Sequence, residues 1–287
     1  MNDLLRNLAP ISAAAWKEID AEATRTLKVL LAARQLVDFT GPLGWQTSAI
    51  SLGRTKKLSP PLQDGVASRV RLVQPMVEIR IPFEIEREEL EAVGRGAKDP
   101  DLDAVRNAAR AAAIAEDRAI FQGYEAAQID GIFDASASQG LTIPDSFEAY
   151  PDIVAEATHR LRSEGVNGPY GIALGPRCYT GLTRSTSRGY PIIDHVRELL
   201  DGPIVWAPAA DGAVVMSLRG GDFELSVGQD FSIGYLDHTS TSVLLYLQES
   251  FSFRVLSPEA AVPLTYGKSG EAKRTAGKPV EKPAGKR

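Results

Sequence analysis

Residues with catalytic or metal-binding chemistry are few in this chain. Three histidines, His159, His195 and His238, stand far apart, and none falls in an HExxH or CxxC-plus-His spacing. A zinc site therefore has no local support. The one cysteine, Cys178, rules out an internal disulfide framework and fits a reducing compartment. It has no neighbouring base motif, and the chain has no GxSxG elbow. Gly267-Lys268-Ser269 resembles the end of a phosphate-binding loop. The glycine that should precede it by five residues is Val262, and the segment opens a Gly/Lys/Pro tail instead of linking strand to helix. The run from Glu84 to Glu91 offers carboxylate pairs for acid–base work, but they alternate with Arg87 and apolar residues, as on a solvated element. No catalytic residue, metal set or cofactor is expected. A site assembled from distant residues would escape this test, yet the balance moves toward structure or binding.

The elements around these residues form a soluble globular pattern. The 287 residues are 44% hydrophobic and 24% charged, enough for one or two domains with a large core. The formal charge of −5 is uneven. Residues 267–287 hold seven basic and two acidic residues, so residues 1–266 carry −10. An acidic body repels phosphate, and no nucleic-acid partner is expected. No apolar run approaches the roughly 20 residues of a membrane span, and Asp3 and Arg6 interrupt any signal-peptide core. A cytoplasmic protein with no membrane partner is expected.

Residues 12–34 read as an amphipathic helix capped by Ser12, with Trp16, Ile19, Ala23, Leu27, Leu30 and Leu31 on one stripe. Gly41-Pro42 breaks regular structure. Residues 45–75 read as a two-stranded basic arm with polar faces and little core of its own, which needs support from another surface. Residues 76–85 alternate as a long strand, with Pro82 favouring an edge. An alanine-rich helix is predicted over 101–127, and helices over 152–164 and 191–201, with a strand at 170–174. Segments 203–207 and 213–218 read as a hairpin, followed by strands at 223–227, 231–236, 242–249 and 251–256. This is an α+β pattern, not a doubly wound nucleotide fold. Residues 267–287 read as a disordered basic tail.

Several fragments, in order, resemble encapsulin shell proteins, the linocin-like family, and are most like its actinobacterial members. They include Leu8-Ala9-Pro10, Trp16, Asp38-Phe39-Thr40-Gly41-Pro42-Leu43-Gly44, Glu116-Asp117-Arg118-Ala119-Ile120-Phe121-Gln122-Gly123 and Gly168-Pro169-Tyr170. Gly189-Tyr190-Pro191, Arg219-Gly220-Gly221-Asp222-Phe223, Gly228-Gln229-Asp230 and Leu247-Gln248-Glu249-Ser250-Phe251 extend the likeness to about residue 266. The resemblance implies the Hong-Kong-ninety-seven phage major-capsid fold. It divides the chain into an N-terminal helix and connection (1–44), an extended loop arm (45–75), a peripheral domain (76–130 and 222–266) and an axial domain (131–221). It also implies a hollow icosahedral homo-oligomer, the smallest shell with one chain per asymmetric unit, in which the arm lies over a neighbouring subunit.

The same resemblance implies cargo enzymes held by a C-terminal peptide in a groove between the N-terminal helix and the peripheral domain. Leu27, Leu31, Leu36, Ile233 and Tyr235 are the expected apolar lining, with Arg34 and Asp38 as polar selectors. The same leucines also read as intrachain core. Thr183, Arg184, Ser185, Thr186, Ser187, Arg188 and Gly189 would edge a five-fold pore as a polar, mildly cationic ring. A dye-decolourising peroxidase or a ferritin-like protein is the implied cargo, and the chemistry would belong to it. Two other readings stand beside this one: a phage or prophage major capsid protein, and the protease or bacteriocin of the family's older labels.

Overall fold

In the computed structural model the described residues are 3–187 and 189–267; Arg188 and the tail beyond Gly267 lie outside them. A 3₁₀ turn, Arg6–Leu8, precedes α1 (Ala13–Leu30), whose Ser12 cap accepts from the Ala15 N–H at 3.2 Å. Its buried stripe is Ala15, Ile19, Ala23, Leu27 and Leu30. The sequence predicts helix as far as residue 34, but α1 stops at Leu30. The N–H groups of Ala32 and Ala33 bond the Asp117 carboxylate instead of carbonyls one turn back. A single 3₁₀ turn, Ala33–Gln35, then leads to β1 (Asp38–Thr40).

The basic segment forms β2 (Ala49–Lys57) and β3 (Arg69–Pro75), which pair with each other and with no other strand. β4 (Val77–Glu86) follows, then α2 (Arg87–Gly94) and α3 (Asp103–Gln122). The alternation read in residues 76–85 is present, and Pro82 sits on a strand that pairs with one neighbour only, an edge position that tolerates proline. In α3, Ala108, Ala109, Ala112 and Ala113 are buried at no more than 4% exposure, and these small side chains let the helix approach α1 and β4 closely.

Next come α4 (Ile132–Ala135), β5 (Leu141–Thr142), α5 (Tyr150–Ser163), β6 (Tyr170–Leu174), α6 (Pro176–Arg184), β7 (Thr186–Ser187), β8 (Tyr190–Pro191) and α7 (Ile192–Leu199). The chain ends in β9 (Ile204–Trp206), β10 (Ala213–Ser217), β11 (Phe223–Val227), β12 (Ser232–His238), β13 (Ser242–Val255) and β14 (Ala261–Thr265). One five-stranded sheet has the order β1-β11-β13-β12, with β4 on β13; the other runs β5-β14-β10-β6-β9. β14, at the end of the 222–266 range, pairs with β10.

Three local expectations change. Segments 203–207 and 213–218 do not form a hairpin: β6, buried along its whole length, lies between β9 and β10, parallel to one and antiparallel to the other. The two strands at 242–249 and 251–256 are one continuous β13, because its polar centre Gln248-Glu249-Ser250 is bonded by distant residues. Helix α6 has no counterpart among the expected elements, and it carries Thr183 and Arg184.

Two apolar clusters result. One lies between α1, α2, α3 and the face of the first sheet made by Phe83, Ile85, Ile233, Val243, Leu245 and Leu247. The other spans the second sheet, α5 and α7, and reaches Leu36 and Phe223. Each fully buried Ile or Leu contributes about 1.5–3 kcal/mol of apolar transfer.

Candidate functional site

The two clusters meet at the turn after α1, and Arg34 lies at that meeting. Its Nε donates to Glu116 Oε1 at 3.0 Å, and Nη2 to Glu116 Oε2 at 2.6 Å. Nη2 also reaches Glu249 Oε1 at 2.5 Å, and Nη1 reaches Asp230 Oδ1 at 2.9 Å. The guanidinium therefore ties the turn to α3, to β13 and to the loop before β12. Phe39 and Phe231 place their rings about it, with centroids 5.1 Å and 5.0 Å away. Such a fork suits a planar cation with fixed donors better than an ammonium.

Three carboxylates around one cation, two of them fully buried, leave excess negative charge there. Burial, and then the charge of Glu116, push the Glu249 carboxyl well above its usual range, so its protonated form is favoured. Its Oε2 has no hydrogen-bond partner among the described residues. Burial works against the Arg34 charge, but the bonds and charges of Glu116, Glu249 and Asp230 outweigh it and hold the guanidinium ionised. The three carboxylates are engaged with one guanidinium, and the arrangement is a clamp.

The expected groove residues divide between the two clusters. Leu27, Leu31, Ile233 and Tyr235 pack in the first, and Leu36 in the second, all at 9% exposure or less. They hold the walls together from inside. Asp38 is exposed, accepts the Gly221 N–H at 2.6 Å, and borders a cavity of about 160 Å³ with Leu36, Ser217 and Asp222. What the surface beside Arg34 presents is Phe39, 41% exposed, with Phe231 and Asp230 partly exposed. Sequence reasoning did not single out Phe39, Phe231, Glu116 or Glu249 as site residues. Phe39, Glu116 and Glu249 fall within fragments that carry the family resemblance and Phe231 within none, and all four are too far apart in the chain for any local motif.

The expected pore edge is a short hairpin. Thr183 and Arg184 end α6, and the Thr183 hydroxyl donates back to the Tyr179 carbonyl at 2.9 Å. Ser185 leaves the helix, Thr186 and Ser187 pair with Pro191 and Tyr190, and Gly189 takes a left-handed φ of 83° at the tip. Arg188 lies outside the described residues. The Tyr190 ring packs on His195 at 4.8 Å.

Cys178 is buried, its thiol pKa raised chiefly by burial, and its sulfur lies 3.0 Å from the Tyr266 hydroxyl. Among the described residues no group of three or more His, Cys, Asp or Glu could hold a metal ion. No described helix is long and apolar enough to cross a membrane.

Residues 1–252 match a protein family described as an encapsulating protein for peroxidase. A type 1 encapsulin shell protein of Rhodospirillum rubrum is 56% identical over 270 residues, covering 92% of this chain and 96% of that one. One from Rhodococcus erythropolis, an actinobacterial relative, is 48% identical over 264 residues, 92% of this chain and all of the other. Among solved structures, a virus-like particle from Pyrococcus furiosus superposes with a TM-score of 0.62 at 16% identity, covering 87% of this chain and 98% of that one. A chain of Mycobacterium phage Ogopogo gives 0.54 at 14% identity, covering 83% and 92%.

Proposed function

The chain belongs to the family of type 1 encapsulin shell proteins, with the phage-capsid fold and a capsid-like cage as its product, and from that premise we propose a closed compartment that houses a cargo enzyme. The supporting observation is the β2–β3 arm. It pairs with no other strand, and it exposes Leu58, Leu62, Val66, Val70 and Val73. A lone two-stranded ribbon is marginal in water, so the arm needs a neighbouring subunit to rest on. Many such contacts, each weak, add up in a closed assembly of identical chains. The compartment is the smallest icosahedral shell, with one chain per asymmetric unit, in the bacterial cytoplasm.

Cargo carries a C-terminal peptide that docks on the inner wall beside α1. The accessible part of that groove is the rim of Phe39, Phe231 and Asp230 around Arg34, resting on the buried leucines, while Asp38 is engaged with the Gly221 N–H. The family description supports a peroxidase as cargo; a ferritin-like protein is the second candidate. The segment 183–189, from the end of α6 into the β7–β8 turn, edges a pore that passes small molecules or ions and excludes folded proteins. The shell itself performs no catalysis. The acidic body of the chain weighs against the genome-packaging alternative.

Negative-stain electron microscopy of the purified protein tests the shell directly. Uniform round hollow particles are the expected result, and monomers or small oligomers under mild conditions overturn it. Assaying particles stripped of cargo tests the non-enzymatic reading: proteolysis or peroxidation that persists after stripping defeats it.

A further inference from the structure

The arm carries a charge arrangement that one chain does not neutralise. In the β2–β3 ribbon Lys57 stands directly opposite Arg69, and Thr55 opposite Arg71. Paired residues of an antiparallel ribbon share a face, so Lys57, Arg69 and Arg71 project from the same side. All three are exposed, and none has an ion pair among the described residues. Like charges directly opposed weaken a ribbon that already has little core.

The opposite charge lines the free edge of the first sheet. β4 pairs with β13 alone. Glu84 and Glu86 on its outer face, and Glu88 at the start of α2, are exposed and without an ion pair among the described residues. Glu91, one turn on, by contrast lies 3.9 Å from Arg87 and 3.7 Å from Arg95. Alternate residues of a strand stand about 7 Å apart, so Glu84 and Glu86 repeat with the spacing of Arg69 and Arg71. Only Met76 separates β3 from β4, so the ribbon enters the sheet directly, and no ion pair joins the two sets within the chain.

We propose that Lys57, Arg69 and Arg71 of one subunit seat against Glu84, Glu86 and Glu88 of a neighbouring copy. This rests on the reading of the chain as a shell subunit, and names the surface on which the arm lies. Exposed pairs of this kind are screened within about 10 Å at 0.1 M salt, so assembly loosens as salt rises.

The test is a charge swap, read by size-exclusion chromatography and negative-stain microscopy at low and high salt. The arm variant Lys57→Glu/Arg69→Glu/Arg71→Glu and the edge variant Glu84→Lys/Glu86→Lys/Glu88→Lys are each expected to lose at least half of the assembled fraction. Their circular dichroism should match the unaltered chain, because all six side chains are outside the cores. The chain carrying both sets is expected to regain particles. Failure of the double set to recover, or undiminished assembly in both single sets, overturns the pairing while wild-type particles leave the shell reading standing. A wild-type chain that forms no particles overturns the shell reading itself.

Discussion

Asp117, on α3, accepts the backbone N–H of Ala32 at 2.9 Å, and its second oxygen accepts that of Ala33 at 3.1 Å. The carboxyl is fully buried, and it is what halts α1 and turns the chain so that Arg34 faces Glu116. Removing it leaves two buried donors without an acceptor, each worth about 1–3 kcal/mol. Asp117→Ala is therefore expected to destabilise by on the order of 3 kcal/mol, and Asp117→Asn, which keeps one acceptor, by less. Thermal unfolding of the assembled protein at one fixed concentration measures both; an unchanged midpoint for the alanine variant defeats the assignment.

The same carboxyl makes stability depend on pH. Burial raises its pKa from 3.8 to about 7, against the pull of the two amides. Between those values the unfolded chain has lost the proton and the folded chain keeps it. Stability from this group is therefore complete below about pH 4, declines as pH climbs, and is lost above about pH 7, a span on the order of 4 kcal/mol. Unfolding midpoints from pH 4 to 8 should fall less steeply in Asp117→Asn. An identical slope in the variant places the pH dependence elsewhere.

Glu249 titrates in the same direction, with burial and then Glu116 raising its pKa. Its stabilisation is present below the ordinary carboxylate range and is lost as pH rises toward the folded value. Glu249→Gln keeps the shape and an acceptor for Arg34 without the charge, so it should gain stability over the parent at alkaline pH and differ little at pH 4. Glu116→Gln removes the carboxylate that makes three bonds to Arg34 while Asp230 and Glu249 still face the guanidinium, and is expected to cost about 1.5–3 kcal/mol at neutral pH, the loss of hydrogen bonds to a charged group. Chemical denaturation of both variants at pH 4, 7 and 9 separates them; equal behaviour refutes the unequal roles.

What the sequence displayed was local. The alternation of β4 and the run of β6 could be read because period and burial belong to the segment itself. Gln248-Glu249-Ser250 looks like a break in β13 because three consecutive polar residues interrupt an apolar run. They are buried in mid-strand and bonded by Arg80, Arg34 and the Gln229 N–H, from 21 to 215 residues away. The false hairpin at 203–218 has the same origin: two adjacent strands are parted by β6, which precedes them both. The groove leucines showed helical spacing, and spacing alone does not separate an inward face from a wall open to a ligand.

A close backbone approach supplies a stability prediction independent of charge. Where α3 ends, a Cβ on Gly131 would lie 2.1 Å from the Gly123 nitrogen and 2.3 Å from the Gln122 carbonyl carbon. Backbone cannot swing aside as a side-chain tip does, so Gly131→Ala is expected to cost about 3 kcal/mol, the upper range for overpacking. Gly94, which ends α2, has open space around a Cβ and no left-handed φ, so Gly94→Ala should be neutral or slightly stabilising. Expression yield and melting temperature of the pair check this, and a harmless Gly131→Ala contradicts it.

Cargo capture and folding should separate at two neighbouring residues. Leu31 is 8% exposed in the first cluster, so Leu31→Asp buries a charge and lowers subunit stability and particle yield together. Phe39 is 41% exposed, and one edge of its surface is the Arg34 guanidinium. Phe39→Asp places a charge in contact with solvent, so particles should form at close to normal yield. If the targeting peptide docks on the Phe39–Phe231 rim, this variant loses at least tenfold in capture of a fluorescent protein fused to the C-terminal peptide of the native cargo. Co-purification of that fusion with particles measures it. Full loading of Phe39→Asp particles moves the docking surface away from Arg34, and loss of the particles themselves would show that Phe39 supports the fold and not the cargo.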